Sequence, residues 1–175
     1  YHNLVPAGLS HDLGEFYTPD WRASHVLNQV AYEGQRENRL LDPACGSGTF
    51  LVLEIQRLRE RCRQERLSPQ ATLDTILQQV VGIDLNPLAV LAARANYLLA
   101  LGELLQHRMG TIDIPVYLAD SILFPQPGNE ACSQGRSEVR APPDHTPLKM
   151  TNLGEFDVVV GNPPWVGWES LPKDY

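Results

Sequence analysis

Three acidic residues and one asparagine follow apolar segments of the chain, and these four residues could carry chemistry. Asp42, Asp84 and Asp120 close short runs rich in leucine, valine or isoleucine, and Asn162 follows 156–161. A single Asp at a strand end is ordinary, because Asp favours turns and helix caps. Three in succession, with a glycine loop after the first, favour a ligand site at the carboxyl ends of parallel strands.

The loop Gly46-Ser-Gly48 allows a tight turn and a close approach of backbone to ligand. It leads into a predicted helix, whose free N–H groups favour electron-rich ligand atoms. A phosphate-binding loop would end in Gly-Lys-Ser/Thr, but this one continues with Thr49. A dinucleotide fingerprint would have a third glycine near Leu51 and an acid about 20 residues on. The loop therefore disfavours a nicotinamide dehydrogenase.

The next two acids suit a nucleoside. Asp84 could accept both hydroxyls of a ribose; the alternative is that it only caps the helix that starts near Pro87. Asp120 could accept a hydrogen bond from an adenine amine, or it could be a turn residue before Ser121. A ligand with a ribose and an adenine but no pyrophosphate fits S-adenosylmethionine.

The segment Asn162-Pro163-Pro164-Trp165 is the most distinctive feature. Two prolines fix φ and remove two donors, which leaves a surface of acceptors suited to an –NH₂ group. Trp165 offers a face on which a base can stack. Acceptors that hold both N–H bonds would localise the lone pair of an aromatic amine, which is otherwise a poor nucleophile. The alternative is a rigid turn with a tryptophan in the core.

The order of elements predicts an α/β fold with a doubly wound, mostly parallel Rossmann-like sheet of about four strands. Strands are predicted over 39–42, 80–84, 116–120 and 156–161. Helices are predicted from Thr18 as N-cap and Pro19 as first residue to a stop at Gly34, after Gly48, from Ser68-Pro69 to about Gln79, and from Asn86-Pro87 to about Gly102. Residues 126–152, rich in Pro, Gly and Ser, are predicted to form a mobile surface loop.

The helix after Gly48 combines an apolar stripe with many charges. The stripe consists of Leu51, Ile55, Leu58 and Cys62. The charges are Arg57, Arg59, Arg61, Arg63 and Arg66, interleaved with Glu54, Glu60 and Glu65. We expect all of these charges to lie on a solvated face with i,i+4 pairing, and only weakly expect a phosphate patch.

Composition sets further bounds. The chain has 175 residues and a formal charge of −7, which disfavours electrostatic nucleic-acid binding by the chain as a whole. No uninterrupted apolar run approaches the ~20 residues of a membrane span. Three scattered cysteines form neither a disulfide framework nor a metal pattern, so we expect a cytoplasmic protein and no metal. The chain begins at Tyr1 rather than Met, and we expect it to be a piece of a longer protein.

Five blocks, in this order, resemble the gamma-class N6-adenine DNA methyltransferases of restriction–modification systems, as in type I modification subunits and type IIG enzymes. The blocks are Gly14-Glu-Phe-Tyr-Thr-Pro19, Asp42-Pro-Ala-Cys-Gly-Ser-Gly-Thr-Phe50, Gly82-Ile-Asp84-Leu-Asn-Pro87, Ala119-Asp120 and Asn162-Pro-Pro-Trp165. The resemblance implies a methyltransferase that uses S-adenosylmethionine in a prokaryotic cytoplasm.

The resemblance also implies residue roles. Asp84 would hold the ribose and Asp120 the cofactor adenine, whereas Asn162 and the Pro163 carbonyl would hold the target amine. Trp165 would stack on an adenine flipped out of the duplex. The implied cofactor-binding residues are Tyr17, Thr18, Pro19, Asp42, Ala44, Cys45, Gly46, Gly48, Thr49, Asp84, Leu85 and Asp120. The implied catalytic residues are Asn162, Pro163, Pro164 and Trp165.

The resemblance divides the chain into an N-terminal segment, 1–34, and a partial catalytic domain, 35–175. On this resemblance, we expect the later strands of the family's sheet and its target recognition domain to lie outside this sequence. The strand before Asn162 would therefore be an exposed edge, and we expect little methylation by the chain alone. Double-stranded DNA would bind mainly through other parts of the parent protein, with specificity or restriction subunits as further partners.

Two other functions stay open at this stage. An amino-methyltransferase that acts on a protein glutamine or an RNA base could share the Asn-Pro-Pro-aromatic motif. A non-catalytic nucleoside-binding module would need neither Asn162 nor Trp165.

Overall fold

A computed structural model describes residues 18–121 and 153–163. The elements in these ranges are α1 (Asp20–Gln29), β1 (Leu40–Asp42), α2 (Thr49–Gln64), α3 (Pro69–Gln79), β2 (Val80–Asp84), α4 (Pro87–Leu101), a 3-10 helix (Gly102–His107), β3 (Val116–Leu118) and β4 (Val158–Val159). The predicted loop 126–152 lies outside the described residues. The α/β fold with a parallel four-stranded sheet is confirmed.

The strands lie in the order β3-β2-β1-β4. The chain steps outward on one side of β1 to form β2 and β3, and β4 then pairs with the other side of β1. Leu40 pairs with both Val80 and Val158, which places β1 inside the sheet and β4 at the edge of the described strands. In open α/β sheets the crevice at such a change of direction is where ligands bind. The switch point here lies between β1 and β4.

Three of the four strands are shorter than the apolar runs that predict them, whereas β2 has the predicted bounds. The flanking residues are held by other bonds. Asp157, before β4, accepts a hydrogen bond from the Arg39 amide through its side chain at 2.8 Å. After β3, the Ala119 amide donates to the Asp84 carbonyl at 3.0 Å.

The start of α1 corrects the prediction by one residue. Pro19 is the N-cap, with φ −60° and ψ 145°, and no side chain caps the helix. Thr18 is therefore not the N-cap, because Pro19 stays extended and its carbonyl accepts the Arg22 and Ala23 amides at 2.9 and 3.1 Å. The helix also ends before Gly34, whose φ of +84° lets its backbone pack against α2.

The two other predicted N-caps are confirmed. Ser68 Oγ accepts the Ala71 amide at 3.2 Å, ahead of Pro69. Asn86 Oδ1 accepts the Leu88 amide at 2.9 Å, so Asn86 is the residue that caps α4. Each proline stands in the first turn, where it displaces no intrahelical hydrogen bond.

The predicted apolar stripe of α2 is buried in the main core. That core brings together α2, α3, α4 and the inner face of the sheet. The helical stretch Pro87–His107 is long and apolar enough to span a bilayer by length and composition, with a mean hydropathy of 1.5 in its most apolar window. In this fold it contributes Ala93, Tyr97 and Leu101 to the core, as the core helix of a globular domain does.

The charged residues of α2 do not all lie on a solvated face. Arg61 pairs with Glu65 and Arg63 with Glu60, each at 2.7 Å, as i,i+4 and i,i+3 pairs. Glu54, in contrast, is fully buried, so its predicted exposure is wrong. The periodicity explains this, because residue 54 falls within the i, i+3, i+4 pattern of the apolar stripe.

Candidate functional site

The carboxyl ends of β1 and β2 are joined by Asp84. Its Oδ2 accepts the Gly46 amide at 2.7 Å, and its Oδ1 accepts the Asn86 amide at 2.8 Å. The side chain thus ties the glycine loop after β1 to the turn after β2. Because Asn86 caps α4, helix capping does not explain Asp84.

The glycine loop is held at both ends. The Cys45 amide donates to the Ile83 carbonyl at 2.9 Å, and the Gly48 amide donates to the Cys45 carbonyl at 2.8 Å. Gly46 and Gly48 have φ of +54° and +89°, which L side chains rarely adopt. A Cβ on Gly46 would meet no described atom within 4 Å, so conformation rather than space requires glycine there.

The other side chains in and beside the loop differ in their exposure to solvent. Cys45 is buried, burial raises the pKa of its thiol, and its Sγ donates to the Gly46 carbonyl at 3.9 Å. Ala44 and Thr49 are half-buried, whereas Leu85 is 64% exposed beside Asp84. An exposed leucine at a strand end is compatible with contact to a planar ligand.

Asp42 is a buried acid at the centre of the site. It is 1% exposed, and its Oδ1 accepts the Ala44 amide at 3.1 Å. Burial raises the pKa of Asp42 to about 8, and the nearby charge of Asp84 adds to the effect. An anion here is costly without a partner. A cationic ligand group beside Asp42 and Asp84 would stabilise the ionised form of Asp42 and lower this pKa.

Asn162 follows β4 and therefore lies at the carboxyl ends of the strands, as Asp42 and Asp84 do. Since Leu41 pairs with Val159, the residues after the two strands lie side by side. Gly161 approaches Asp42 so closely that a Cβ on it would overlap Asp42 Oδ1 and lie 3.2 Å from its Cγ. Asn162 is half-buried and Pro163 is exposed. The Asn-Pro-Pro motif thus begins one residue after a glycine that packs against Asp42.

The structure describes some of the other predicted site residues and not others. Asp120 is half-buried after β3, and β3 pairs with β2 up to Asp84. Thr18 is buried and Pro19 half-buried at the start of α1. Tyr17, Pro164 and Trp165 lie outside the described residues, so their roles stay predictions.

Sequence reasoning did not foresee the environment of two residues of the elements that carry the site. Glu54 carries a buried carboxyl whose two oxygens bond to no described residue, and burial raises its pKa well above the ordinary value, with the charge of Asp42 adding. Its place in the apolar periodicity was the available signal. Arg39, before β1, bonds to distant segments, and no local pattern indicates such contacts. Among the described residues no cluster of His, Cys, Asp and Glu suits a metal ion.

Residues 7–173 match the family model of the N-6 DNA methylases. The chain is 27% identical over 172 residues to the adenine-specific methyltransferase PglX of Streptomyces coelicolor, covering 85% of this chain and 14% of that protein. It is 28% identical over 152 residues to the type I restriction enzyme MjaVIII methylase subunit of Methanocaldococcus jannaschii, covering 87% and 20%. The chain thus spans a fifth or less of these relatives.

One solved structure supports the fold. It is the crystal structure of a Vibrio vulnificus protein assigned as a modification subunit of a type I restriction enzyme. The match has a TM-score of 0.52 and 21% identity, and covers 92% of this chain and 27% of that one.

Proposed function

Because the chain belongs to the N-6 DNA methylase family, we propose that it forms the cofactor-binding part of an enzyme that methylates the N6 amine of adenine in DNA. The observation that carries the proposal is the meeting of two acids and an Asn-Pro motif at the β1/β4 switch point. Asp42 and Asp84 lie on one side of it, and Gly161, which directly precedes Asn162, packs closely against Asp42.

The cofactor site fits S-adenosylmethionine. This cofactor carries a sulfonium and an ammonium group, and when bound it supplies an electrophilic methyl group. Asp42 and Asp84 would offset its positive charge, and Asp84 would accept the ribose hydroxyls. Apart from those of its two chain neighbours, no side chain of residues 18–121 or 153–163 lies within 4 Å of the position that a Cβ on Gly46 would take. Asp120 would accept the adenine amine, and Thr18 and Pro19 would border the methionine end.

The motif after β4 suits the target amine. The Asn162 amide oxygen and the Pro163 carbonyl would each accept an N–H of the amine, and Pro163 offers no competing donor. Both bonds would favour a pyramidal nitrogen whose lone pair can attack the methyl carbon as the methyl–sulfur bond breaks. The sulfonium would leave as a neutral thioether, and the methylated nitrogen would release one proton to solvent water. Holding the amine in line removes much of the barrier, and fixed acceptors stabilise the charge that develops on nitrogen. Trp165 would stack on the flipped base.

The proposed setting is a restriction–modification system in a prokaryotic cytoplasm. Two relatives are methylase subunits of type I restriction enzymes, which supports a role beside specificity or restriction subunits. With a charge of −7, this chain offers few contacts to phosphates. Most DNA contacts would therefore come from other parts of the enzyme.

The test is Asn162→Ala in the complete enzyme, with Asn38→Ala as control. Asn38 lies before β1, at the amino ends of the strands, whereas Asn162 lies at their carboxyl ends. Methyl transfer from labelled S-adenosylmethionine to adenine in duplex DNA should fall at least a hundredfold in Asn162→Ala and stay unchanged in the control. Calorimetry should show unchanged cofactor binding in both variants.

Three outcomes would count against the proposal. Full methylation by Asn162→Ala would favour a non-catalytic nucleoside module. Transfer to a protein glutamine or to RNA in place of DNA would reassign the substrate. Tighter binding of NAD than of S-adenosylmethionine would reject the cofactor.

A further inference from the structure

Arg39 holds together three parts of the chain that are distant in sequence. Its Nε donates to the Gln78 carbonyl near the end of α3 at 3.0 Å. Its Nη1 donates to the Leu153 carbonyl at 2.5 Å and to the Glu155 carbonyl at 3.0 Å. The guanidinium also lies over the Phe156 ring, 4.7 Å from its centre. One side chain therefore holds the described residues that lead into β4, from Leu153 to Phe156.

The backbone of Arg39 continues this attachment. Its amide donates to Asp157 Oδ2 at 2.8 Å, and its carbonyl accepts the amides of Asp157 and Val158 at 2.9 and 3.1 Å. The start of β4 is thus bonded to Arg39 before the strand pairing with β1 begins.

Strand β4 needs such an anchor. It has only two residues, Val158 and Val159, and it pairs with β1 alone among the described strands. So short an edge strand gains little from its own ladder. At its far end Gly161 fits against Asp42 with no room for a Cβ. A shift of β4 along β1 would move Asn162 away from the cofactor acids.

We propose that Arg39 is a positioning residue that acts through β4 to set the place of Asn162 relative to Asp42. The inference rests on the proposed methyl transfer and adds to it a residue at the opposite end of β1. Arg39 touches neither acid of the cofactor site among its described contacts. It should therefore govern the rate of transfer and not the affinity for cofactor.

The test compares Arg39→Ala, Arg39→Lys and Arg59→Ala in the complete enzyme. Arg59 is a matched control, because it also donates to a backbone carbonyl, that of Ala100 at 2.6 Å, but it joins α2 to α4. Lysine keeps the charge and loses the planar fork. In Arg39→Ala we expect kcat to fall roughly 10- to 100-fold, as a displacement of about 1 Å can cause, with cofactor Kd changed less than threefold. The kcat of Arg39→Lys should lie between those of wild type and Arg39→Ala, and Arg59→Ala should keep the wild-type kcat.

Hydrogen exchange of residues 158–163 gives a readout that does not depend on activity. Exchange there should quicken in both Arg39 variants and not in Arg59→Ala. If wild type binds cofactor yet methylates no DNA, the proposed function fails, and the exchange data still decide the positioning role. Wild-type kcat in Arg39→Ala, unchanged exchange at 158–163, or a loss of cofactor affinity equal to the loss of kcat would overturn the inference.

Discussion

The Asp84 carboxylate accepts the Gly46 amide at 2.7 Å and so locks the glycine loop after β1 to the end of β2. One residue thus shapes the loop and faces the proposed ribose. Replacing Asp84 with Ala should remove both functions at once, since the Gly46 and Asn86 amides lose their acceptor. We expect the free energy of unfolding to fall by about 1–3 kcal/mol, and the cofactor Kd to rise at least tenfold.

Urea denaturation and calorimetric titration would measure these two effects. Asp113→Ala is the control, because Asp113 is an exposed acid in the loop before β3. A variant that loses stability but binds cofactor normally would make Asp84 a purely structural residue.

The buried acid of β1 should make stability depend on pH. Burial raises the pKa of Asp42 to about 8 from 3.8, so the folded state holds this proton more tightly than the unfolded chain does. Its contribution to stability is therefore full below pH 3.8 and is lost as the pH rises through about 8. Relative to Asp42→Asn, wild type should lose about 1.4 kcal/mol of unfolding free energy per pH unit across this window.

Unfolding curves of both proteins from pH 5 to 9 would test this. Asp42→Asn should be the more stable protein at high pH and yet bind S-adenosylmethionine more weakly, because it lacks the anion that the cation needs. Cofactor affinity of wild type should rise with pH up to about 8, since the ligand's charge competes with the proton on Asp42. Parallel stability curves for the two proteins would contradict the assignment.

The buried Glu54 side chain should lower the free energy of unfolding rather than raise it. Neither of its oxygens is bonded to a described residue, and burial raises its pKa well above the ordinary value, so a polar group is buried with no hydrogen bond to the described part of the chain. Glu54→Met replaces it with an apolar chain of similar size, and should raise the free energy of unfolding by about 1–3 kcal/mol.

The variant Glu54→Gln distinguishes the effect of burying an ionisable group from that of burying any polar group. Glutamine still buries an amide, so its stability should stay closer to wild type than that of Glu54→Met. Chemical denaturation at pH 7 is the measurement. If Glu54→Met is the least stable of the three proteins, the buried carboxyl has a stabilising partner.

Arg57 should be the main tie between α1 and α2. Its guanidinium donates to the Tyr32 carbonyl at 2.6 Å, to Asn28 Oδ1 at 2.8 Å, and to the carbonyl and Oγ of Ser24, each at 3.1 Å. Arg57→Ala should lower the free energy of unfolding by about 2–3 kcal/mol, because charged hydrogen bonds are lost and a carbonyl is left unpaired.

The matched control for Arg57 is Arg63→Ala. Arg63 lies on the exposed side of the same helix, and Glu60 is its one ion-pair partner among the described residues. Such surface pairs contribute little, so its unfolding midpoint should hardly move. Equal losses in both variants would show that helix propensity, and not the tie to α1, is responsible.

Local chemistry made much of the fold predictable. Ser68 and Asn86 cap helices where a polar residue precedes a proline, and the stripe of α2 is buried where its period predicts. Glu54 shows the limit of that reasoning. Its charge indicated a solvated face, but its position on the helix faces the core, and position decided its burial.

The sequence by itself determined which residues are predicted to bear the chemistry: the acids at strand ends, the glycines of the loop, and the Asn-Pro-Pro-Trp motif. Only the tertiary structure decided that β4 pairs with β1, which places Gly161 against Asp42. Strand order and register depend on contacts between residues more than a hundred positions apart, such as those of Arg39 with Leu153 and Asp157. Local propensities carry no information about such contacts, because they describe only neighbours along the chain.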